Sequence, residues 1–136
     1  MIPTGVLTVA YKTRAQVRLF LGKRPHLPLH KDLCGACAIA SYLLVKNLKK
    51  AGYKSSFVTG EYEDFGNHCW TEYSNYIIDI TASQFGLAPV YVTHVSNWRY
   101  SEVAIGATAL QEVRFWGPQA PQTHRRVKEL KAFNLT

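Results

Sequence analysis

"DLCGACAIASYLLVKNLKKAGY" (Asp32–Tyr53) is the stretch on which the reading of this chain turns. From Cys37 to Ala51, the residues Ala40, Leu44, Leu48 and Ala51 recur at helical spacing, and Val45 widens the stripe, so the segment predicts an amphipathic helix. Gly35 places the start near Ala36, and Gly52 supplies a stop, because glycine enters the left-handed backbone that closes a helix without steric cost. Asp32 lies a few residues upstream, where a carboxylate complements the positive helix end, or caps it if the helix begins earlier. Cys34 and Cys37 stand at C-x-x-C spacing, which leaves three chemistries open: a metal clip, a redox pair, or a nucleophile with a bystander beside it.

Beyond Gly52 the hydrophobic period changes from 3.6 to 2. "KSSFVTGEY" (54–62) reads as a strand and "EDFGN" (63–67) as a loop. "HCWTEY" (68–73) and "YIIDITA" (76–82) read as two strands joined by Ser74 and Asn75, and "PVYVTHV" (89–95) as a further strand. Upstream, "GVLTVAYK" (5–12) predicts a strand, "RAQVRLFLG" (14–22) a short helix closed by Gly22, and "KRPHLPLHKD" (23–32), with two prolines, a loop. "THRRVKELKAF" (123–133) predicts a short basic amphipathic helix, packed rather than nucleic-acid-binding. A helix followed by hairpin-linked strands indicates an α+β domain with a mostly antiparallel sheet. The 136 residues fit one domain spanning 1–136, large enough for a core without metal or disulfide staples.

No apolar run approaches the roughly 20 residues of a membrane span, so a soluble protein is expected. The start "MIPTGVLTVAYKTRAQ" lacks the basic head, unbroken apolar core and cleavage site of a secretory signal, which predicts the cytoplasm. Three cysteines, an odd number, fit a reducing compartment better than a disulfide framework. The net charge of +7 is uneven: residues 1–54 carry ten Lys/Arg against Asp32 alone, while residues 55–100 carry five acids against Arg99. A basic half attracts polyanions in principle. Because Lys46, Lys49 and Lys50 fall on the polar face of one helix, a solvated face is the preferred account and a nucleic-acid or acidic partner the second.

The hairpin permits a geometric deduction. With Ser74 and Asn75 as a two-residue turn, Tyr73 faces Tyr76, Glu72 faces Ile77 and Trp70 faces Asp79, so His68 and Asp79 become diagonal neighbours on one face. Diagonal positions lie about 7 to 8 Å apart at the backbone, a separation that an imidazole and a carboxylate can close. A one-residue slip would destroy the pair. The opposite, more apolar face carries Cys69, Tyr73, Tyr76, Ile78 and Ile80. Near a helix N-terminus, unpaired N–H groups and the macrodipole favour a thiolate, a condition that Cys37 meets better than Cys34. Cys37 also shares the buried stripe with Ser41, Leu44 and Leu48. If the helix packs on the face of His68 and Asp79, the three form a nucleophile, a base and an orienting acid.

"CAIASYLLVKNLKKAGY", "HCWTEY" and "IIDIT", in that order, resemble the transglutaminase-like core of the papain-like cysteine enzymes. In that family a cysteine opens a helix ending in glycine about fifteen residues later, a His-x-Trp-x-Glu strand follows, and an Asp-x-Thr strand completes the triad. The resemblance covers residues 32–84 and implies Cys37 as nucleophile, His68 as base and Asp79 as orienting acid, without a cofactor. It implies a papain-like fold and acyl transfer from an amide of a peptide or protein substrate through a thioester. Hydrolysis is preferred over transfer to an amine. Ala38 stands where the papain motif has an aromatic residue, and Lys31, with His30 beside it, stands where papain-type enzymes place an oxyanion-binding glutamine.

Against this stand zinc bound by Cys34, Cys37, His68 and Cys69, disfavoured because adjacent strand residues project to opposite faces. A thioredoxin-like dithiol is disfavoured because a proline loop precedes the cysteines. A non-catalytic binding module with a basic surface is the remaining alternative. Trp70 is read as a core aromatic, Gln84 as structural, Glu61, Glu63 and Asp64 as a solvated rim, and His26, His94 and His124 as histidines without an identifiable partner.

Overall fold

The computed structural model describes residues 1–22 and 36–106. The loop at 23–32 with His26, His30 and Lys31, Cys34, and the basic segment at 123–133 with His124 lie outside the described residues. Two helices, α1 (Thr4–Gly22) and α2 (Cys37–Lys50), accompany strands β1 (Ser56–Tyr62), β2 (Asn67–Tyr73), β3 (Tyr76–Asp79), β4 (Tyr91–His94) and β5 (Tyr100–Gly106). The sheet runs in the order β4-β3-β2-β1-β5 and its pairings are antiparallel. The α+β class and the antiparallel sheet are therefore as expected.

α2 follows the predicted span. Ala40, Leu44 and Leu48 are buried, whereas Ala51 is exposed and belongs to the cap. The helix ends in a Schellman motif: the Tyr53 N–H donates to the Leu48 carbonyl (2.8 Å) and the Gly52 N–H to the Lys49 carbonyl (3.1 Å). Gly52 sits at φ +91°, the left-handed value that this closure requires.

The expected strand and short helix over residues 5–22 are instead one helix, α1. Val6, Thr8, Val9, Thr13 and Val17 give the segment strand propensity, yet Val6, Ala10, Thr13, Arg14, Val17 and Phe20 are its buried residues, a helical stripe. Thr8 and Thr13 satisfy their hydroxyls within the helix, on the carbonyls of Thr4 (3.0 Å) and Val9 (2.7 Å). α1 lies against α2 through Asn47, whose amide donates to Thr13 Oγ1 (3.0 Å) and Gln16 Oε1 (3.2 Å). It reaches the sheet through buried Arg14, which donates to the Ile80 carbonyl (2.7 Å).

The hairpin has the predicted register, with Tyr73 opposite Tyr76, Glu72 opposite Ile77 and Thr71 opposite Ile78. Ser74 at φ +56° supplies the positive dihedral of a tight hairpin turn. Both sheet faces are covered. On one, Ile78 and Ile80 join α1 and α2 residues in a single core, while Phe57 and Cys69 pack on Cys37. On the other, Val58, Tyr62, Trp70, Ile77 and Tyr100 pack with Phe85, Leu87 and Tyr91 from the segment after β3. β5 has no counterpart in the sequence reading. It adds to β1 across a bulge at Thr59/Gly60, where a Cβ at Gly60 would run into the Ser101 carbonyl oxygen and come within 2.6 Å of the Trp70 ring.

Candidate active site

Cys37 is the first residue of α2, and the preceding Ala36 offers no side-chain cap, so the positive helix end bears directly on the thiol. The thiol is nearly buried at 9% exposure. A hydrogen bond from the Cys69 thiol favours the thiolate most strongly, burial opposes it, and the hydrogen bond and charge of His68 with the Cys69 backbone N–H add to the first. The net effect holds Cys37 well below its ordinary value.

The second residue of β2, His68, is buried with Asp79 at the end of β3. Its Nε2 lies 2.7 Å from Asp79 Oδ2, and the imidazole is also hydrogen-bonded to the Cys37 thiol. Burial alone would lower the imidazole; the charge and hydrogen bond of Asp79, with Cys37 adding, reverse this and push His68 up to about 10. Asp79 is satisfied on both oxygens. Oδ1 accepts from the Thr81 N–H (3.0 Å) and hydroxyl (3.3 Å), and Oδ2 accepts from His68 and from the Tyr100 hydroxyl (2.8 Å). Burial would raise its carboxyl, but the His68 charge and these donors hold it below the usual carboxylate value. Tyr100 is itself raised, by burial and then by the Asp79 charge, so its phenol stays protonated.

The structure thus brings Cys37, His68 and Asp79 together, by a route other than the one expected. α2 packs on the face of Phe57, Cys69, Thr71 and Ile78, with the Thr71 hydroxyl on the Ser41 carbonyl (3.4 Å), and not on the face of His68 and Asp79. The three still meet because Cys37 opens α2 beside the start of β2, where both His68 and Cys69 reach its sulfur. His68 and Cys69, adjacent in β2, thus both act on the one sulfur. Among the described residues, no group of three or more His, Cys, Asp or Glu is placed to hold a metal ion.

Trp70 is a core residue, its indole N–H donating to Glu72 (3.2 Å). Gln84 bonds locally to Thr81 through the carbonyl (3.0 Å) and hydroxyl (3.3 Å). Glu61 and Asp64 are exposed, whereas Glu63 is ion-paired with Arg99. His94 has partners after all: its Nδ1 meets the Ser96 hydroxyl (2.8 Å) and N–H (3.1 Å), and its ring packs edge-on against Tyr76. Two site residues carry no sequence signal that singles them out. Tyr100 comes from the unanticipated β5, and in the sequence Cys69 stands only as a residue of the apolar hairpin face and a member of the disfavoured zinc set.

No family model, no curated protein and no solved structure matches the chain.

Proposed function

We propose that this protein is a cysteine acyltransferase of the transglutaminase-like, papain-like type, acting on an amide of a peptide or protein and transferring the acyl group to water in preference to an amine. One observation carries the reading: a thiol at an uncapped helix start is hydrogen-bonded to an imidazole whose Nε2 lies 2.7 Å from a buried carboxylate.

The Cys37 thiolate attacks the amide carbonyl carbon, forming the C–S bond and placing the electron pair on oxygen. In this mechanism the Cys37 backbone N–H, at the uncapped start of α2, donates to that oxygen. As the intermediate collapses, the C–N bond breaks and the departing amine takes its proton from the His68 imidazolium, leaving a thioester on Cys37. His68 then removes a proton from water, the resulting hydroxide attacks the thioester carbonyl, and the C–S bond breaks to return the thiolate. Asp79 holds the ring so that one nitrogen faces sulfur throughout.

The test is peptide hydrolysis, followed by mass spectrometry on a mixed peptide library, combined with iodoacetamide labelling. Cys37→Ala abolishes the iodoacetamide-sensitive activity, Cys34→Ala retains most of it, and His68→Ala lowers it about 10²- to 10⁴-fold. Activity that survives Cys37→Ala refutes the proposal.

A further inference from the structure

The Asp79 carboxylate has an asymmetric set of partners. Thr81, two residues along the same chain, holds Oδ1 with two donors and so fixes the rotation of the carboxylate on its own. Tyr100 is not needed for that. It arrives from β5, on the far side of β2 and β1 from β3, and donates to the same Oδ2 that faces His68 Nε2. Such a reach is built into the sheet. Tyr100 pairs with Tyr62, meets the Trp70 ring at 5.0 Å and the Tyr62 ring at 4.9 Å, both edge-on, and lies parallel to Tyr91.

We infer that Tyr100 sets the proton affinity of the His68–Asp79 pair: its hydroxyl draws charge from Oδ2 and keeps the imidazolium acidic enough to surrender its proton to a leaving amine. Tyr100 is thus a positioning residue acting through Asp79, and its consequence for catalysis rests on the acyl-transfer reading. A phenol facing a carboxylate must donate, and burial together with the charge of Asp79 keeps it protonated across the working range. The sign follows. Without the hydroxyl, Oδ2 has one donor fewer and more charge to offer the ring, so His68 holds its proton to higher pH. The titratable neighbours are few. His68 sees Cys37 from α2 and Asp79 from β3; Tyr100 sees Tyr62 from β1 and Tyr91 from β4; the ion-paired Glu63 and Arg99 bear on Tyr62.

The experiment follows the His68 ring by NMR in the full chain, in a Cys37→Ala background so that the thiol does not titrate with it. Adding Tyr100→Phe, which keeps the packed ring, raises the His68 midpoint by about half a pH unit, roughly threefold in proton affinity, a fraction of one charge-assisted hydrogen bond. Difluorotyrosine at position 100, a stronger donor, lowers it, and Asp79→Asn lowers it further. A merely structural tyrosine would cost stability and leave the midpoint in place. An unmoved midpoint, or the two Tyr100 changes moving it in the reverse senses, overturns the inference. Iodoacetamide labelling of wild-type Cys37 tests the parent reading separately: a thiol reactive only above its ordinary value defeats the thiolate nucleophile, while the NMR titration still decides the role of Tyr100.

Discussion

Replacing Cys37 with alanine should convert a flat stretch of the stability–pH curve into a slope, and both shapes follow from the site. In the wild type, His68 is raised from 6.5 to about 10, so its stabilisation is complete below pH 6.5 and is lost as pH rises toward 10. Cys37 is lowered from 9.0, so its stabilisation is complete above pH 9.0 and is lost as pH falls toward the depressed value. Above 6.5, wherever pH also exceeds the depressed Cys37 value and stays below 9.0, the two run in opposite directions, each at about 1.4 kcal/mol per pH unit, and cancel. Folded and unfolded chains then bind one proton each at this pair, the folded one as thiolate and imidazolium. Cys37→Ala deletes the rising contribution and, with the thiolate gone, lowers the His68 midpoint. His68, still supported by Asp79, makes the variant lose stability with pH above 6.5, approaching about 1.4 kcal/mol per unit until the lowered His68 midpoint is reached. Urea unfolding of both proteins at half-unit steps from pH 6 to 9, in reductant and with a common m-value, reads the difference directly. A variant curve parallel to that of the wild type would refute the thiolate–imidazolium pair.

Two further expectations concern neighbours. Cys69→Ala removes the strongest support of the Cys37 thiolate, so the pH midpoint of iodoacetamide alkylation at Cys37 moves upward; an unchanged midpoint would show that the Cys69 contact does not matter. Gly60→Ala drives a methyl group into the Ser101 carbonyl and the Trp70 ring, costing about 1 to 3 kcal/mol in urea unfolding, and a cost near zero would mean that β5 and β1 separate easily.

The sequence carried much of the site because its decisive relations are local. His68 and Asp79 are eleven residues apart across a two-residue turn, and a period of two with a turn-forming pair fixes which of their neighbours face each other. Cys37 was legible from helix periodicity and the Gly52 stop. α1 was not, because its β-branched residues argue locally for a strand while the burial of Val6, Ala10, Thr13, Arg14, Val17 and Phe20 against α2 and the sheet outweighs them. Nor was β5, whose partner strand lies about forty residues upstream, beyond the reach of any local period.

What the sequence determined by itself is the α2 span, its stop at Gly52, the hairpin register and the His68–Asp79 neighbourhood, each set by dihedral preference and periodicity within a few turns of chain. Only the tertiary structure decided the rest. It put α2 on the face of Cys69 rather than that of His68, brought Cys37 to both residues at the mouth of β2, and carried Tyr100 over β1 and β2 to Asp79. Those contacts depend on packing two sheet faces at once and on burying a carboxylate that must then find four donors, and no local pattern encodes where such donors come from.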